Sequence, residues 1–564
     1  MMRGKLVQGG IARLRRPLDR FYNHRRPGEF ARALIHGAGP LAPIVAANDK
    51  WSLPAHIPLW MRTVHVAPHH PLPPSRRILL FAAYRGEFTL NLALAALLAW
   101  RGHHVTLGYL PRLGSPSKPP FHEDPTTAPY LQATLAGLGQ LTDGRVLAQD
   151  LSLFDDTGIA VDEAFVERQA RSDTIMRLLR ETLDTADPEV ASILEFYREL
   201  GRSAQRCAQG FLSARQGAFD LALIPNGMTF ATAQIVHVAK RLGLPITTFE
   251  KFAFRHMRVP SHGDVVFSFS DLDCLWTHRA ALGFDAAPRR AAAIARGRAL
   301  LDERRNASVQ NFSWKYQKAA GQVSAESMRQ AGISPGERFA LVCPNVPFDA
   351  GYFSFCTMFG SMREWLVETV RALLERTTLK IVVRSHPGEV LHYGGHERAL
   401  DSLVAAGLAD NPRLSVVAPD AAVNTYGLME HCHCGFVFSS TTGIEMAMNG
   451  KPVVVGADVY FAKRGFTVDC HDSASYLERL VATASREVPQ TEAAHIGEEA
   501  ALFYYMIHFV LQRPYPYDKP GDLMRVPPHE LVSSPQIDRY IPVSYTHLRA
   551  HETKANLVCR LLLE

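Results

Sequence analysis

Two short polar turns carry the side chains most suited to chemistry. The first is Val383-Arg384-Ser385-His386-Pro387-Gly388-Glu389, and the second is Ser439-Ser440-Thr441-Thr442-Gly443-Ile444-Glu445. Each follows an apolar run that reads as a buried strand, Leu379 to Val383 and Cys434 to Phe438, and each opens a helix. In an open α/β fold such turns lie at the carboxyl edge of the sheet, where ligands bind. Free first-turn N–H groups, hydroxyls and the positive helix end would together suit an oxyanion such as a phosphate. For the second turn the competing reading is a simple helix cap, which Ser and Thr also provide. His386 either faces a ligand or caps its own loop; Pro387 fits the first helical turn because its missing N–H would be unpaired there. Arg384 offers a two-pronged fork for a phosphate or a carboxylate.

Further candidates follow other apolar runs. Arg85 and Glu87 come after the first strand, Asn226-Gly227 after another and Glu250-Lys251 after a third. A carboxylate placed there could take a proton from an attacking hydroxyl. Glu250 and Glu87 are the candidates, with Asp349 third; each has the alternative of an ordinary salt-bridged loop acid. Asn226-Gly227 reads equally as a turn.

The elements that hold these turns alternate between strands and helices. A β-α-β unit is expected from strand Ile78 to Ala82, helix Leu90 to Trp100 and strand His104 to Tyr109. A polar, mostly helical region follows at about 128–216. Strand Leu221 to Ile224, helix Thr229 to Leu242 and strand Ile246 to Phe249 then continue the sheet. A second alternating series begins with strand Phe339 to Cys343 and runs to strand Pro452 to Val455. Alternation of this kind predicts parallel sheets covered on both faces. The fold class is therefore α/β, with two doubly wound Rossmann-type domains facing a central cleft. The expected divisions are a basic arm (1–75), a first domain (76–270), a helical connection (271–330), a second domain (331–485), a helical segment (486–542) and a tail (543–564).

Bulk composition narrows the class. The chain has 564 residues, 47% hydrophobic and 21% charged, with a net charge of +6. That balance is ordinary for a globular protein and gives no argument for a nucleic-acid partner. Eight cysteines without a repeating spacing suggest reduced thiols and a cytoplasmic setting. Phe88 to Trp100 is far shorter than the roughly 20 apolar residues of a membrane span. The N-terminal arm interleaves Arg13, Arg15, Arg16 and Arg20 with Ile11, Leu14, Leu18 and Phe21. It could lie on an anionic membrane surface or remain a solvated arm. The stretch from Val543 to Glu564 resembles a translated adapter or vector tail, so His547, His551 and Cys559 are expected to carry no function.

Two other signals are set aside. Asp271-Leu272-Asp273 reads as a capped helix start better than as a metal motif. His431-Cys432-His433-Cys434 lacks zinc-site spacing. No dinucleotide-binding, Walker or nucleophile-elbow glycine motif is present in the sequence. No cofactor or metal is expected.

The ordered set Pro344-Asn345-Val346-Pro347-Phe348-Asp349, Arg384-Ser385-His386-Pro387, Ser440-Thr441-Thr442-Gly443-Ile444-Glu445, Gly450-Lys451-Pro452 and Tyr460 to Thr467 resembles bacterial capsule polysaccharide biosynthesis proteins. These include Kdo-transferase-like enzymes of GT-B fold. The resemblance covers about 340–467 well and the first half in outline. His-Pro followed by a Ser/Thr turn is also similar to the donor site of CMP-sugar transferases. The resemblance implies CMP contacts from His386, Pro387, Ser440 and Thr441; the two turns themselves add Arg384, Ser439, Thr442 and Gly443 as nucleotide-binding candidates. Arg85, Asn226, Asn345, Lys451 and Lys463 are the candidates for substrate contacts. The resemblance implies a glycosyltransferase that moves an acidic sugar such as Kdo from a CMP-linked donor to a glycan or lipid-linked acceptor, at the cytoplasmic membrane face. Helix N-termini with Arg384 could stabilise the departing phosphate, so metal independence is expected. The same architecture also serves CDP-glycerol-type polyol-phosphate transferases, UDP-sugar enzymes and a non-catalytic assembly scaffold.

Overall fold

The computed structural model describes residues 74–82, 85–110, 139, 142–251, 257–268, 270–306, 325–346, 358–391 and 398–514. The basic arm, the C-terminal tail and Asp349 lie outside the described residues.

The first domain opens with β1 (Arg77–Ala82), α1 (Arg85–Trp100), β2 (His104–Tyr109) and β3 (Val146–Asp150). Two long helices follow, α2 (Glu163–Leu178) and α3 (Pro188–Ala214), then β4 (Leu221–Pro225), α4 (Phe230–Arg241), β5 (Ile246–Lys251) and β6 (Met257–His262). β1 is an unbroken apolar run, Ile78 to Ala82, buried throughout, as a parallel strand covered on both faces must be. α3 starts where Asp187 accepts a hydrogen bond from Glu189 N, with Pro188 in the first turn. Val190, Leu194, Tyr197, Ala204, Cys207 and Phe211 recur at helical spacing and face the core.

The second domain gathers α5 (Ser270–Thr277), α6 (Ala287–Arg305), α7 (Ala325–Gln330), β7 (Phe339–Cys343), α8 (Met362–Arg376), β8 (Lys380–Arg384), α9 (Gly388–Leu391), α10 (Ala399–Ala405) and β9 (Leu414–Val417). It continues with α11 (Thr425–His431), β10 (Cys434–Val437), α12 (Thr442–Met448), β11 (Val453–Val455), α13 (Ser473–Ser485) and α14 (Gln490–Tyr505). A π-helical turn, Met506–Leu511, leads into β12 (Arg513–Pro514).

The strand orders explain where a ligand can enter. The first sheet runs β12-β6-β5-β4-β1-β2-β3 and the second β11-β10-β7-β8-β9. In the first, β3-β2-β1-β4-β5 is parallel, while β6 and β12 are added antiparallel. The second is parallel throughout, in the same relative order. This is the Rossmann order, which reverses between its first and fourth strands and opens a crevice at their carboxyl ends. The switch points here are β1/β4 and β7/β10. The doubly wound two-domain fold expected from the sequence is present.

The helical connection and the C-terminal helices do not stand apart from the second domain. Leu272, Leu300, Ala500 and Phe503 belong to one buried core with Leu341, Val382 and Phe436. α6 and α14 approach so closely that a Cβ on Gly297 would lie 2.4 Å from the Ala501 carbonyl, which explains glycine there. β3 and β6 were not anticipated. β3 is an edge strand with exposed Leu147, and β6 carries Pro260 and buried polar residues in place of an apolar run.

Candidate functional site

At the second-domain switch point, Asn345 follows β7 and Ser439 follows β10. The Asn345 Oδ1 accepts a hydrogen bond from Ser439 N at 3.0 Å, which joins the two lips of the crevice. The Ser/Thr turn then closes on itself. Ser440 Oγ accepts from the Thr442 hydroxyl at 2.9 Å and from Thr442 N at 3.4 Å. Gly443 N reaches the Ser440 carbonyl, and Ile444 N and Glu445 N reach that of Thr441. The free first-turn amides expected from the sequence are thus already committed, and α12 is only seven residues long. The turn presents hydroxyls: Ser439, Ser440 and Thr442 are half-buried and Thr441 is exposed. Gly443 is buried because a Cβ there would meet Val437 at 2.9 Å. Beneath the turn, burial pushes the Cys343 thiol up to about 12, which leaves it no thiolate chemistry at neutral pH.

The His-Pro turn follows β8 on the neighbouring strand. His386 Nδ1 accepts from Gly388 N at 3.0 Å, so the neutral ring carries its proton on Nε2 and that nitrogen is a donor. Pro387 is half-buried beside it. Arg384 requires a correction. It is 6% exposed, and it points its guanidinium at the Ala418 carbonyl (2.6 Å), the Ser385 carbonyl (3.1 Å) and the Thr425 hydroxyl (3.2 Å). Burial pulls its pKa down. Arg384 therefore anchors the loop after β9 and is not an open fork for a ligand.

Glu389, which sequence reasoning passed over, is 2% exposed at the start of α9. No hydrogen bond of regular geometry reaches either carboxyl oxygen. Burial pushes its pKa up to about 7, against the pull of the Ala399 and His386 amides. A carboxylate between two glycine- and histidine-rich turns gave no periodic signal of burial.

In the first domain the structure brings two candidates together. Asn226 at the end of β4 donates from Nδ2 to Glu250 Oε2 at the end of β5, at 3.2 Å. Its Oδ1 accepts from Met228 N at 2.9 Å, so one side chain both shapes its loop and holds the carboxylate. Asn226, Gly227 and Phe230 all have positive φ, at 58°, 80° and 47°. At Gly227 a Cβ would also sit 2.8 Å from Thr248 Cγ2. The loop is fastened from α2. Asp173 accepts from Phe230 N with both oxygens (3.1 and 3.2 Å), and Gln169 donates to the Met228 carbonyl at 2.8 Å. Asp173 was missed in a helix that reads as charged. Its signal was its place on the buried stripe with Val166, Ala170 and Thr174.

The remaining candidates scatter. Arg85 and Glu87 lie in the first turn of α1, which begins just beyond the carboxyl end of β1. Lys451 requires the second correction: it precedes β11 and so lies at the amino edge of the sheet, opposite the Ser/Thr turn. A cavity of about 700 Å³ opens there beside Arg338, His431 and His433. Lys463 makes an exposed pair with Asp458 at 3.0 Å. Asp271 is buried against His262 (2.6 Å), and Asp273 pairs with Arg464. Among the described residues no group of three or more His, Cys, Asp or Glu side chains is placed to hold a metal ion.

The turn that follows α2 ties the two carboxyl edges together: Glu181, three residues past the end of the helix, accepts from Met362 N (2.6 Å) and Arg363 N (3.2 Å), capping α8. α8 connects β7 to β8, so its amino end lies at the carboxyl edge of the second sheet. The loop carrying Asn226 and the edge carrying His386 are thereby connected through α2 and the turn that follows it.

Comparison with known proteins gives one family match and several distant structural likenesses. Residues 304–511 match the family described as "Capsule polysaccharide biosynthesis protein". Among solved structures, Thermosulfurimonas dismutans KpsC, beta Kdo 2,4 transferase, is 15% identical, with 56% of this chain and 88% of that chain covered and a TM-score of 0.33. The beta Kdo 2,7 transferase of the same KpsC gives 15% identity, 52% and 78% coverage and a TM-score of 0.29. A putative UDP-N-acetylglucosamine 2-epimerase from Listeria monocytogenes gives 12% identity, 80% and 95% coverage and a TM-score of 0.23. No curated protein matches. The family match lies over the second domain and its flanking helices, and the two-Rossmann-domain architecture stands on the strand orders described above.

Proposed function

We propose that this protein is a glycosyltransferase of capsule or surface polysaccharide synthesis that transfers an acidic sugar such as Kdo from a CMP-linked donor to a glycan or lipid-linked acceptor. The observation that carries the reading is the Asn345–Ser439 bond across the switch point of the family-matched domain. The donor nucleotide takes that crevice, with the Ser440 and Thr441 hydroxyls and the His386 Nε2–H as donors to the phosphate. Glu250, held by Asn226, takes the proton from the acceptor hydroxyl as its oxygen attacks the anomeric carbon. The bond from that carbon to the phosphate oxygen breaks, and CMP departs. No step in this reading calls for a metal. The basic N-terminal arm supports a place on the anionic cytoplasmic membrane face.

The test is calorimetric titration of the full chain with CMP, CDP, UDP and GDP in the presence of a chelator. A preference for CMP that is lost in His386→Ala supports the reading. A preference for UDP moves the protein to the UDP-sugar enzymes, and strong dependence on added manganese counts against metal independence. Binding of none of the four leaves an assembly scaffold as the function.

A further inference from the structure

We infer that Asp173 is a positioning residue for the acceptor-side carboxylate Glu250, acting through the strained loop Asn226–Phe230. This rests on the glycosyltransferase reading, in which Glu250 accepts the proton. Asp173 is 2% exposed, and its hydrogen bonds come from Phe230 N and Gln169 Nε2, not from Asn226. Its two oxygens are aimed at one backbone N–H, that of Phe230, the first residue of α4. α4 has its own cap position at Thr229, yet that side chain makes no capping bond. The cap is supplied instead by a carboxylate from another helix. A carboxylate already in place also means that the start of α4 is not available to a donor phosphate, which leaves nucleotide binding to the second domain.

The connection to Glu250 is continuous. Asp173 also accepts from Gln169 Nε2 at 3.1 Å, and the same nitrogen donates to the Met228 carbonyl. The two side chains therefore grip both ends of the 228–230 segment. Positive φ at two non-glycine residues, Asn226 and Phe230, persists only when surrounding contacts impose it. These contacts are the ones that impose it. With the loop so held, Met228 N reaches Asn226 Oδ1 and turns Asn226 Nδ2 onto Glu250. If the grip is released, Phe230 can relax to negative φ, and Asn226 loses the orientation that places Glu250.

The experiment compares full-length wild type with Asp173→Ala, Asp173→Asn, Glu250→Gln and the double variant Asp173→Ala/Glu250→Gln. CMP release from CMP-Kdo is measured with membranes of the producing cells as acceptor. Asp173→Ala is expected to lower kcat 10- to 100-fold while KM for CMP-Kdo stays within twofold, and Asp173→Asn to recover part of the loss. The double variant should be no slower than Glu250→Gln alone, because Asp173 acts only through Glu250. Losses that multiply in the double variant would overturn the inference. If wild type releases no CMP, the proposed reaction fails, and hydrogen exchange decides the positioning separately. Faster exchange at Met228 and Phe230 in Asp173→Ala supports it; unchanged exchange there overturns it. Should Asp173→Ala not fold, Gln169→Ala is read by the same two measurements, with a smaller effect of the same kind.

Discussion

Asn345 and Ser439 are 94 residues apart in the chain, and a 3.0 Å hydrogen bond joins them across the strand-order reversal of the second sheet. The acceptor is a side chain and the donor a backbone amide. The bond therefore fixes where the Ser440–Thr442 hydroxyls begin without using any of them. Replacing Asn345 with Ala leaves the Ser439 amide without that partner, at a cost of about 1–3 kcal/mol. We expect Asn345→Ala to weaken CMP binding roughly 10-fold, the affinity equivalent of about 1.4 kcal/mol. Asn345→Asp retains an acceptor and should stay closer to wild type. Calorimetry on both variants checks this; equal affinity in all three proteins would detach Asn345 from the nucleotide.

Arg384 makes a contrasting prediction. Its Nε and Nη1 donors end on protein oxygens, so Arg384→Lys should act on stability and leave nucleotide affinity nearly unchanged. A lysine reaches one of the three acceptors and leaves the others in a buried setting. A loss of about 2–3 kcal/mol is expected. Chemical denaturation would measure it, and a selective loss of CMP binding with stability intact would restore Arg384 to the ligand site.

These two residues show what could be read from the chain. The strands β1, β4, β7, β8 and β10 are largely apolar runs, so their carboxyl ends, and with them Asn226, Asn345, His386 and Ser440, could be placed at sheet edges from the sequence. The direction of a long side chain at such an edge could not. Arg384 turns aside because the Ala418 carbonyl needs a donor, and nothing near Arg384 in the sequence announces that demand. Lys451 was misplaced for another reason: Gly450-Lys451-Pro452 was read as a motif, whereas its position before β11 puts it at the opposite edge. Asp173 required noticing one acid on an otherwise apolar stripe.

A pH prediction follows from the two buried acids. Burial raises Asp173 to about 7, opposed by the Phe230 amide and Gln169, and raises Glu389 to about 7. A carboxyl whose folded pKa lies above its unfolded value favours the native state while protonated. That advantage is complete below about pH 4, the usual range of the unfolded group, and is lost as pH rises through about 7. His237, His433 and His508 are lowered by burial and oppose this trend as pH falls below their ordinary value of 6.5. The difference between wild type and Asp173→Asn isolates the Asp173 contribution. Wild type should gain on the variant by about 2–3 kcal/mol between pH 8 and pH 5. Parallel stability curves for the two proteins over that range would show that Asp173 titrates normally.

The helix that begins at the Ser/Thr turn is held from behind by a buried ion pair, Arg304 Nη1 to Glu445 Oε1 at 3.0 Å, with Tyr504 bonded to Arg304. Burial pulls the Arg304 guanidinium down, but Tyr504, Glu445 and Tyr426 outweigh it, and the net direction is upward, so the arginine stays charged. Arg304 ends α6, Glu445 lies in α12 and Tyr504 in α14, so the pair joins three helices behind the candidate nucleotide turn. A buried charge without its partner is costly, whereas removing both charges together is often close to neutral. Glu445→Met alone should therefore destabilise the protein by about 3–5 kcal/mol. Adding Arg304→Met should recover much of that loss, since the orphaned charge goes with it. Chemical denaturation of the two single variants and the double completes the cycle. Additive losses would mean that Arg304 and Glu445 are held independently, and that the turn bearing Ser440 does not depend on their pairing.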